Sequence, residues 1–293
     1  MSIPLQPCGV ASLTRSVSEG ERLKRLPFLS LFERSPSLAL RVSLIGLLLC
    51  LLLTSHAVAA DPGVRERTFV RALEVFDSAK SPEDYRESAK LLESILADGF
   101  RNGAVYYNLG NAYFRAGEFG RAILAYRKAK PYRPRDPYLA ANLQQALAAA
   151  PGRLPEPTRP LWNHVLFWTD WLSYPAKAKA CFFCLALAAA TTTVAVVRRI
   201  PRIHWITVGL GVVACAMGCD IYMNFNETTG FRRAVITGET MARKGTGNSY
   251  EAAFDQPLRD GAEFQVLSET PDWTFGHFDS IGDGWVRNEY VAR

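Results

Sequence analysis

The sharpest chemical signal in the chain is Cys181-x-x-Cys184, a spacing that serves thiol–disulfide exchange or metal binding elsewhere. Both cysteines fall in the charge-free run Ala180–Val197, and Cys215 and Cys219 fall in a second such run, Ile203–Cys219. In an apolar helix cysteine acts as a small hydrophobe. These are therefore read as structural thiols, with membrane redox chemistry by Cys181 and Cys184 as the contrasting case. His164 and His277 are far apart, and no His-x-x-x-His, Gly-x-Ser-x-Gly or Cys/His ligand set occurs. Gly245-Thr246-Gly247 lacks the Lys-Ser/Thr of a phosphate loop. Asp220 ends the second apolar run, where a headgroup-level position is favoured over a working intramembrane acid. No catalytic residue, metal site or cofactor is expected. The net charge of +6, from 34 basic and 28 acidic residues, is dispersed along the chain and does not describe a nucleic-acid binder.

The elements that carry these residues follow from where the hydrophobicity sits. The mean hydropathy of −0.01 averages unlike parts. A first apolar run, Val42–Ala60, follows Arg41 and ends in Ala57-Val58-Ala59-Ala60. This reads as a signal peptide within a 1–60 leader, cleaved near Ala59/Ala60, the alternative being an uncleaved anchor. The other two runs, 180–197 and 203–219, are long enough for a transmembrane hairpin over 180–219. Arg198, Arg199 and Arg202 in the turn between them place it on the cytoplasmic side. Lys177 and Lys179 oppose this weakly. The residues on either side of the hairpin are then exported. Residues 151–179 form a linker, whose Trp162, Trp168 and Trp171 suit either a water–lipid boundary or packing on the exported part, with a helix ending at Pro175.

Within 61–150, large residues recur at helical spacing, and Pro131 and Pro134 stop the second helix of a pair. Tyr106, Leu109, Gly110, Tyr113, Ala122, Tyr126, Ala129 and Pro134 match the signature of a tetratricopeptide repeat, which this segment resembles. Tyr85, Ser88, Leu92 and Ile95 fall on the second helix of an earlier, degenerate repeat, and Asp136-Pro137 opens a capping helix. The resemblance implies a groove for a peptide or partner, presented by Tyr107, Asn108, Asn111 and Arg115, with Asn142 from the capping helix. The alternative is a solvated surface with packing inside the array. A lysine found at the Tyr107 position of carboxylate-clamp members is absent, so that clamp is not expected.

From 231 to 293 short apolar stretches alternate with turn residues. Asp260-Gly261, Trp273, Gly284-Trp285-Val286 and Tyr290-Val291 resemble a bacterial SH3-like domain. Residues 225–293 carry seven basic and eleven acidic side chains, so this unit does not seek anionic surfaces. Trp285 is expected in the core, and Trp273 is a candidate ligand platform.

The fold class is thus a multidomain membrane protein: an all-α tetratricopeptide-repeat array, a two-helix transmembrane hairpin and a small all-β SH3-like barrel. The order of parts, with YYNLGNAYFRAGEFGRAILAYRKA followed by RPRDPYLAANL, resembles the BatE-like proteins of the bacterial Bat aerotolerance cluster. The resemblance implies a non-enzymatic scaffold of the bacterial inner membrane, with both soluble modules on the periplasmic side. The partners it implies are von Willebrand factor A-domain Bat proteins and, indirectly, a MoxR-type ATPase. The contrasting expectation is a peptidoglycan sensor or tether acting through the SH3-like domain.

Overall fold

A computed structural model describes residues 62–97, 99–155, 171–200, 202–229 and 233–293. The leader with its Ala59/Ala60 site, and Trp162 and Trp168 of the linker, lie outside these residues. The first five helices are α1 (Pro62–Ser78), α2 (Pro82–Ala97), α3 (Gly103–Arg115), α4 (Phe119–Ala129) and α5 (Pro137–Ala149), each packed on the next through a short connection. Three of them carry their own N-terminal caps. Ser81 and Asp84 cap α2 reciprocally, Asp84 accepting from Lys80 and Ser81 N–H at 2.9 Å each. Asn102 caps α3 through Ala104 N–H at 2.7 Å. Asp136 caps α5 at Tyr138 N–H, with Pro137 at the start. Such side chains fill donors that no intrahelical carbonyl can reach.

The array core is one continuous cluster that includes Leu92, Tyr106, Leu109, Tyr113, Ile123, Tyr126, Leu143 and Leu147. Gly110 sets the α3–α4 crossing, since a Cβ there would lie 2.5 Å from the Tyr126 ring. Overpacking of that kind costs about 1–3 kcal/mol. Tyr126 is itself 1% exposed.

Residues 181–215 form a compact unit of their own, distinct from the described parts of 57–180 and 216–293. They belong to two long helices, α6 (Tyr174–Arg198) and α7 (Ile203–Thr229), both long and apolar enough to cross a membrane. Within the unit the Thr191 and Thr207 hydroxyls meet at 3.0 Å, and Cys181 Sγ points at the Ala214 carbonyl at 3.5 Å. The four described cysteines form no disulfide with one another. Each helix extends beyond its apolar run. Pro175 does not end a preceding helix as expected; it lies at the second position of α6, in the first turn, where proline's missing N–H has no intrahelical acceptor to lose.

The β unit is a five-stranded antiparallel sheet, ordered β4 (Gly282–Arg287), β3 (Trp273–Phe278), β2 (Glu263–Glu269), β1 (Arg233–Ile236), β5 (Val291–Ala292). Its core gathers Ala234, Ile236, Leu258, Phe264, Phe278 and Val286. Phe264 and Phe278 stack with centroids 4.6 Å apart. The expected core position of Trp285 is corrected. In β4 the inward residues are Gly284 and Val286, and Trp285 is half-buried on the opposite face. Gly284 pairs with Gly276, where a Cβ would strike the Phe264 ring at 2.2 Å. The inner face at that level is filled by phenylalanine rings, leaving no room for an indole.

The helical array and the β unit are docked on each other. Glu118, the N-cap residue of α4, makes no side-chain cap. Asp260 of the β unit takes its place, accepting from Gly120 N–H at 3.1 Å, while Asp260's own carbonyl accepts from Gly152 N–H at 2.9 Å. Arg127 of α4 forms a two-pronged pair with Glu263 of β2 at 3.0 and 2.9 Å. Close backbone approach demands glycine on the array side. A Cβ on Gly120 would sit 2.5 Å from the Ile236 carbonyl oxygen, and one on Gly152 would sit 2.1 Å from that of Arg259.

Burial raises the Asp260 carboxyl above its usual range, opposed by N–H groups of Gly120, Gly238 and Phe119 and reinforced by Glu118. The folded state therefore holds this proton more tightly than the unfolded chain. The ionised group's penalty, full above the raised value, is relieved as pH falls toward the ordinary carboxylate value. Asp260→Ala is expected to destabilise the protein by about 0.5–2 kcal/mol at neutral pH, as loss of a helix cap does. Asp260→Asn, which keeps one acceptor, should cost less. Denaturant unfolding of the detergent-solubilised chain between pH 7 and 4 checks both the ranking and the sign: the wild type should gain on Asp260→Asn as pH falls.

Candidate functional site

The face shared by α3 and α5 brings together most of the groove residues expected from the sequence. Tyr107, Asn111 and Arg115 recur every fourth residue along α3, and Asn142 on α5 faces them. Asn142 Nδ2 donates to the Tyr107 hydroxyl at 3.1 Å and to Asn111 Oδ1 at 2.9 Å. Asn111 Oδ1 also accepts from the Tyr126 hydroxyl at 2.8 Å. Burial pushes the Tyr126 phenol well above its ordinary value, so it stays a donor at every physiological pH. The guanidinium of Arg133 lies 4.7 Å from the centroid of the Tyr107 ring, a cation–π contact. Asn108 turns instead to its own helix, donating to the Ala104 carbonyl at 2.9 Å. Arg115 is exposed at the end of the row.

This lattice occupies the Asn111 carbonyl and leaves mostly donors. Asn111 Oδ1 receives two hydrogen bonds, whereas among the described residues Asn111 Nδ2, the Tyr107 hydroxyl as donor, the Arg115 guanidinium and Asn142 Oδ1 make none. Such a surface can take carbonyl or carboxylate oxygens, and Asn142 Oδ1 can take an N–H. The signature residues Tyr106, Leu109, Gly110, Tyr113, Ala122, Tyr126 and Ala129 are buried in the array core beneath it, and Pro134 lies in the turn after α4.

A second surface lies on the β unit. Cross-strand pairing sets Trp273 beside Arg287, Phe275 beside Trp285 and His277 beside Asp283, all on the face turned from the core. Phe275 and Trp285 have centroids 5.0 Å apart, Arg287 sits 5.8 Å over Trp273, and His277 Nδ1 is 2.5 Å from Asp283 Oδ1. Trp273 is therefore one end of an aromatic ladder, a feature that the alternation around it foreshadows but does not orient.

Of the linker tryptophans, Trp171 is described, and the Arg135 guanidinium lies 5.1 Å from its ring. Arg198, Arg199 and Arg202 are exposed at the helix turn, Arg199 with a φ of 52°. Sequence reasoning named Asp260 but missed its contact with α4, and it missed the Arg127–Glu263 and Lys177–Asp220 pairs; the one local hint was the absence of a capping residue before α4. Among the described residues no cluster of three or more potential metal ligands occurs. No protein-family model, curated protein or solved structure matches the chain.

Asn111→Ala should remove the acceptor of Tyr126 and Asn142 together, costing about 1–3 kcal/mol for buried donors left unpaired. Tyr126→Phe in the same background should recover part of that loss, because the stranded hydroxyl goes with it. A double-mutant cycle by denaturant unfolding measures the coupling; strict additivity would show that the lattice is not formed.

Proposed function

We propose that the chain is a non-enzymatic scaffold of a bacterial inner membrane, built like the BatE-like proteins it resembles. In this reading the helical array is a tetratricopeptide-repeat groove for a partner's peptide or helix, α6 and α7 anchor it, and the β unit is an SH3-like domain fused to its side. The observation that carries the reading is the donor-rich lattice of Tyr107, Asn111 and Asn142 ending at exposed Arg115. An extended backbone offers the matching row of carbonyls. The partners proposed are von Willebrand factor A-domain membrane proteins, with a MoxR-type ATPase acting through them.

The orientation proposed sets Arg198, Arg199 and Arg202 in the cytoplasm and both soluble parts on the periplasmic side. Of the two lysines that oppose it, Lys177 is paired with Asp220, which weakens their objection. A second reading, a peptidoglycan reader, is favoured by one observation, the half-exposed ladder of Trp273, Phe275 and Trp285.

A photo-crosslinking residue at Arg115 of the full chain in the host's own membranes should trap a von Willebrand factor A-domain membrane protein. One at exposed Glu74 on α1 should not. Equal adducts from both positions would remove the groove from the proposal. A reporter fused after Arg199 should be cytoplasmic and one after Arg293 exported; the reverse pattern overturns the orientation. Cell-wall sacculi should not retain the full detergent-solubilised chain. Retention abolished by Trp273→Ala would instead establish the wall reading. The intact chain is required, because the β unit shares its Asp260 and Glu263 contacts with α4.

A further inference from the structure

We propose that Tyr174 and the Lys177–Asp220 ion pair form a clamp that fixes the register of α6 against α7 and holds the helical array in one orientation on the ends of these helices. The proposal does not depend on what the array binds. Tyr174 opens α6, so its N–H has no intrahelical acceptor. It donates instead to the Pro131 carbonyl, in the turn after α4, at 2.8 Å. Its ring stacks on Tyr132 with centroids 5.8 Å apart, and Tyr132 in turn lies 6.1 Å from Tyr106 in the array core. Its hydroxyl reaches across to α7 and donates to the Ile221 carbonyl at 2.5 Å. One helical turn further along the same face of α6, Lys177 Nζ meets Asp220 Oδ2 at 2.6 Å.

Burial makes this geometry selective. The side chains of Lys177 and Asp220 are 4% and 11% exposed. Charges so placed depend on counter-charges held within the fold, and removing either member takes from the other a counter-charge at 2.6 Å. Sliding α7 by one turn, about 5.4 Å, would part Lys177 from Asp220 and Tyr174 from Ile221 at once. Both contacts are polar and short, so no intermediate register satisfies either. The array cannot then swing about the start of α6 without breaking the Pro131 hydrogen bond or the Tyr132 stack. Buried ion pairs are poor sources of net stability, and their best-attested use is to choose one arrangement over its neighbours.

The test is a distance measurement by pulsed electron spin resonance on the full chain in lipid nanodiscs. Spin labels replace exposed Gln145 on α5 and exposed Tyr222 on α7, with the native cysteines changed to alanine. The expected result is one narrow distance distribution, broadened at least twofold by Lys177→Ala or by Asp220→Ala. The exchanged pair, Lys177→Asp with Asp220→Lys, should narrow it again. A broad distribution before mutation, no broadening in the single variants, or an exchanged pair as broad as either single variant would each overturn the clamp. Should a single variant lose its helical circular dichroism, Tyr174→Phe decides the matter. It removes one hydroxyl and keeps the ring; broadening supports the clamp, and an unchanged width overturns it.

Discussion

The first turn of a helix exposes N–H groups that no carbonyl of the same helix can reach, and this constraint organises the molecule. Where the local sequence supplies a cap, the helix start is self-contained: Ser81 with Asp84, Asn102, and Asp136 serve α2, α3 and α5. Two helices receive an acceptor from a distance. The N-terminus of α4 is met by Asp260, 140 residues on, and that of α6 by the carbonyl of Pro131. The first of these places attaches the β unit to the array, and the second ties the first turn of α6 to the turn after α4.

The attachment at α4 changes what the β unit is for. A free-standing β unit would display all of its surface to ligands. This one presents β1 and the Asp260 turn to α4, with glycine at Gly120 and Gly152 allowing backbone to meet backbone. Asp260 carries an electrostatic penalty for its burial and still satisfies a helix end, so the contact is a compromise whose balance shifts with pH. The Arg127–Glu263 pair adds direction, because its two parallel hydrogen bonds fit a single alignment of the guanidinium and carboxylate planes.

Much of this was legible in the residues, and the limits have physical causes. Helical periodicity at Tyr106, Leu109 and Tyr113 marks α3, and these residues are buried where that spacing puts them. Alternation around Trp273 marks β3, yet period two defines a pair of faces without saying which is inside. The deciding fact, that Gly276 beneath Phe264 pairs with Gly284 beneath Ala242 and Phe254, is a cross-strand relation, and it turned Trp285 outward. Apolar runs marked α6 and α7 and their ends at the connecting turn, but not the start of α6 or the end of α7, where the helices run on into polar residues because helix limits follow hydrogen bonding and not hydropathy. The row of Tyr107, Asn111 and Asn142 could be placed on one face; their mutual bonds could not, since these depend on the crossing that Gly110 permits.

Those mutual bonds also separate the two surfaces as binders. On the α3–α5 face the carbonyl of Asn111 is already doubly occupied, so the valences left over are mainly N–H and O–H groups, joined by the guanidinium of Arg115, with the carbonyl of Asn142 as an open acceptor. A ligand there gains by bringing oxygens, and loses little desolvation energy because the lattice beneath is satisfied without it. The β3–β4 face offers rings held rigid by pairing, with Arg287 already resting on Trp273. A ligand for that face must displace a guanidinium or stack beside it, which favours a flat apolar surface over a strand. On the proposed reading the first face suits an extended backbone and the second a flat ring or surface, and the Asp260 contact ties together the array and the sheet that bear them.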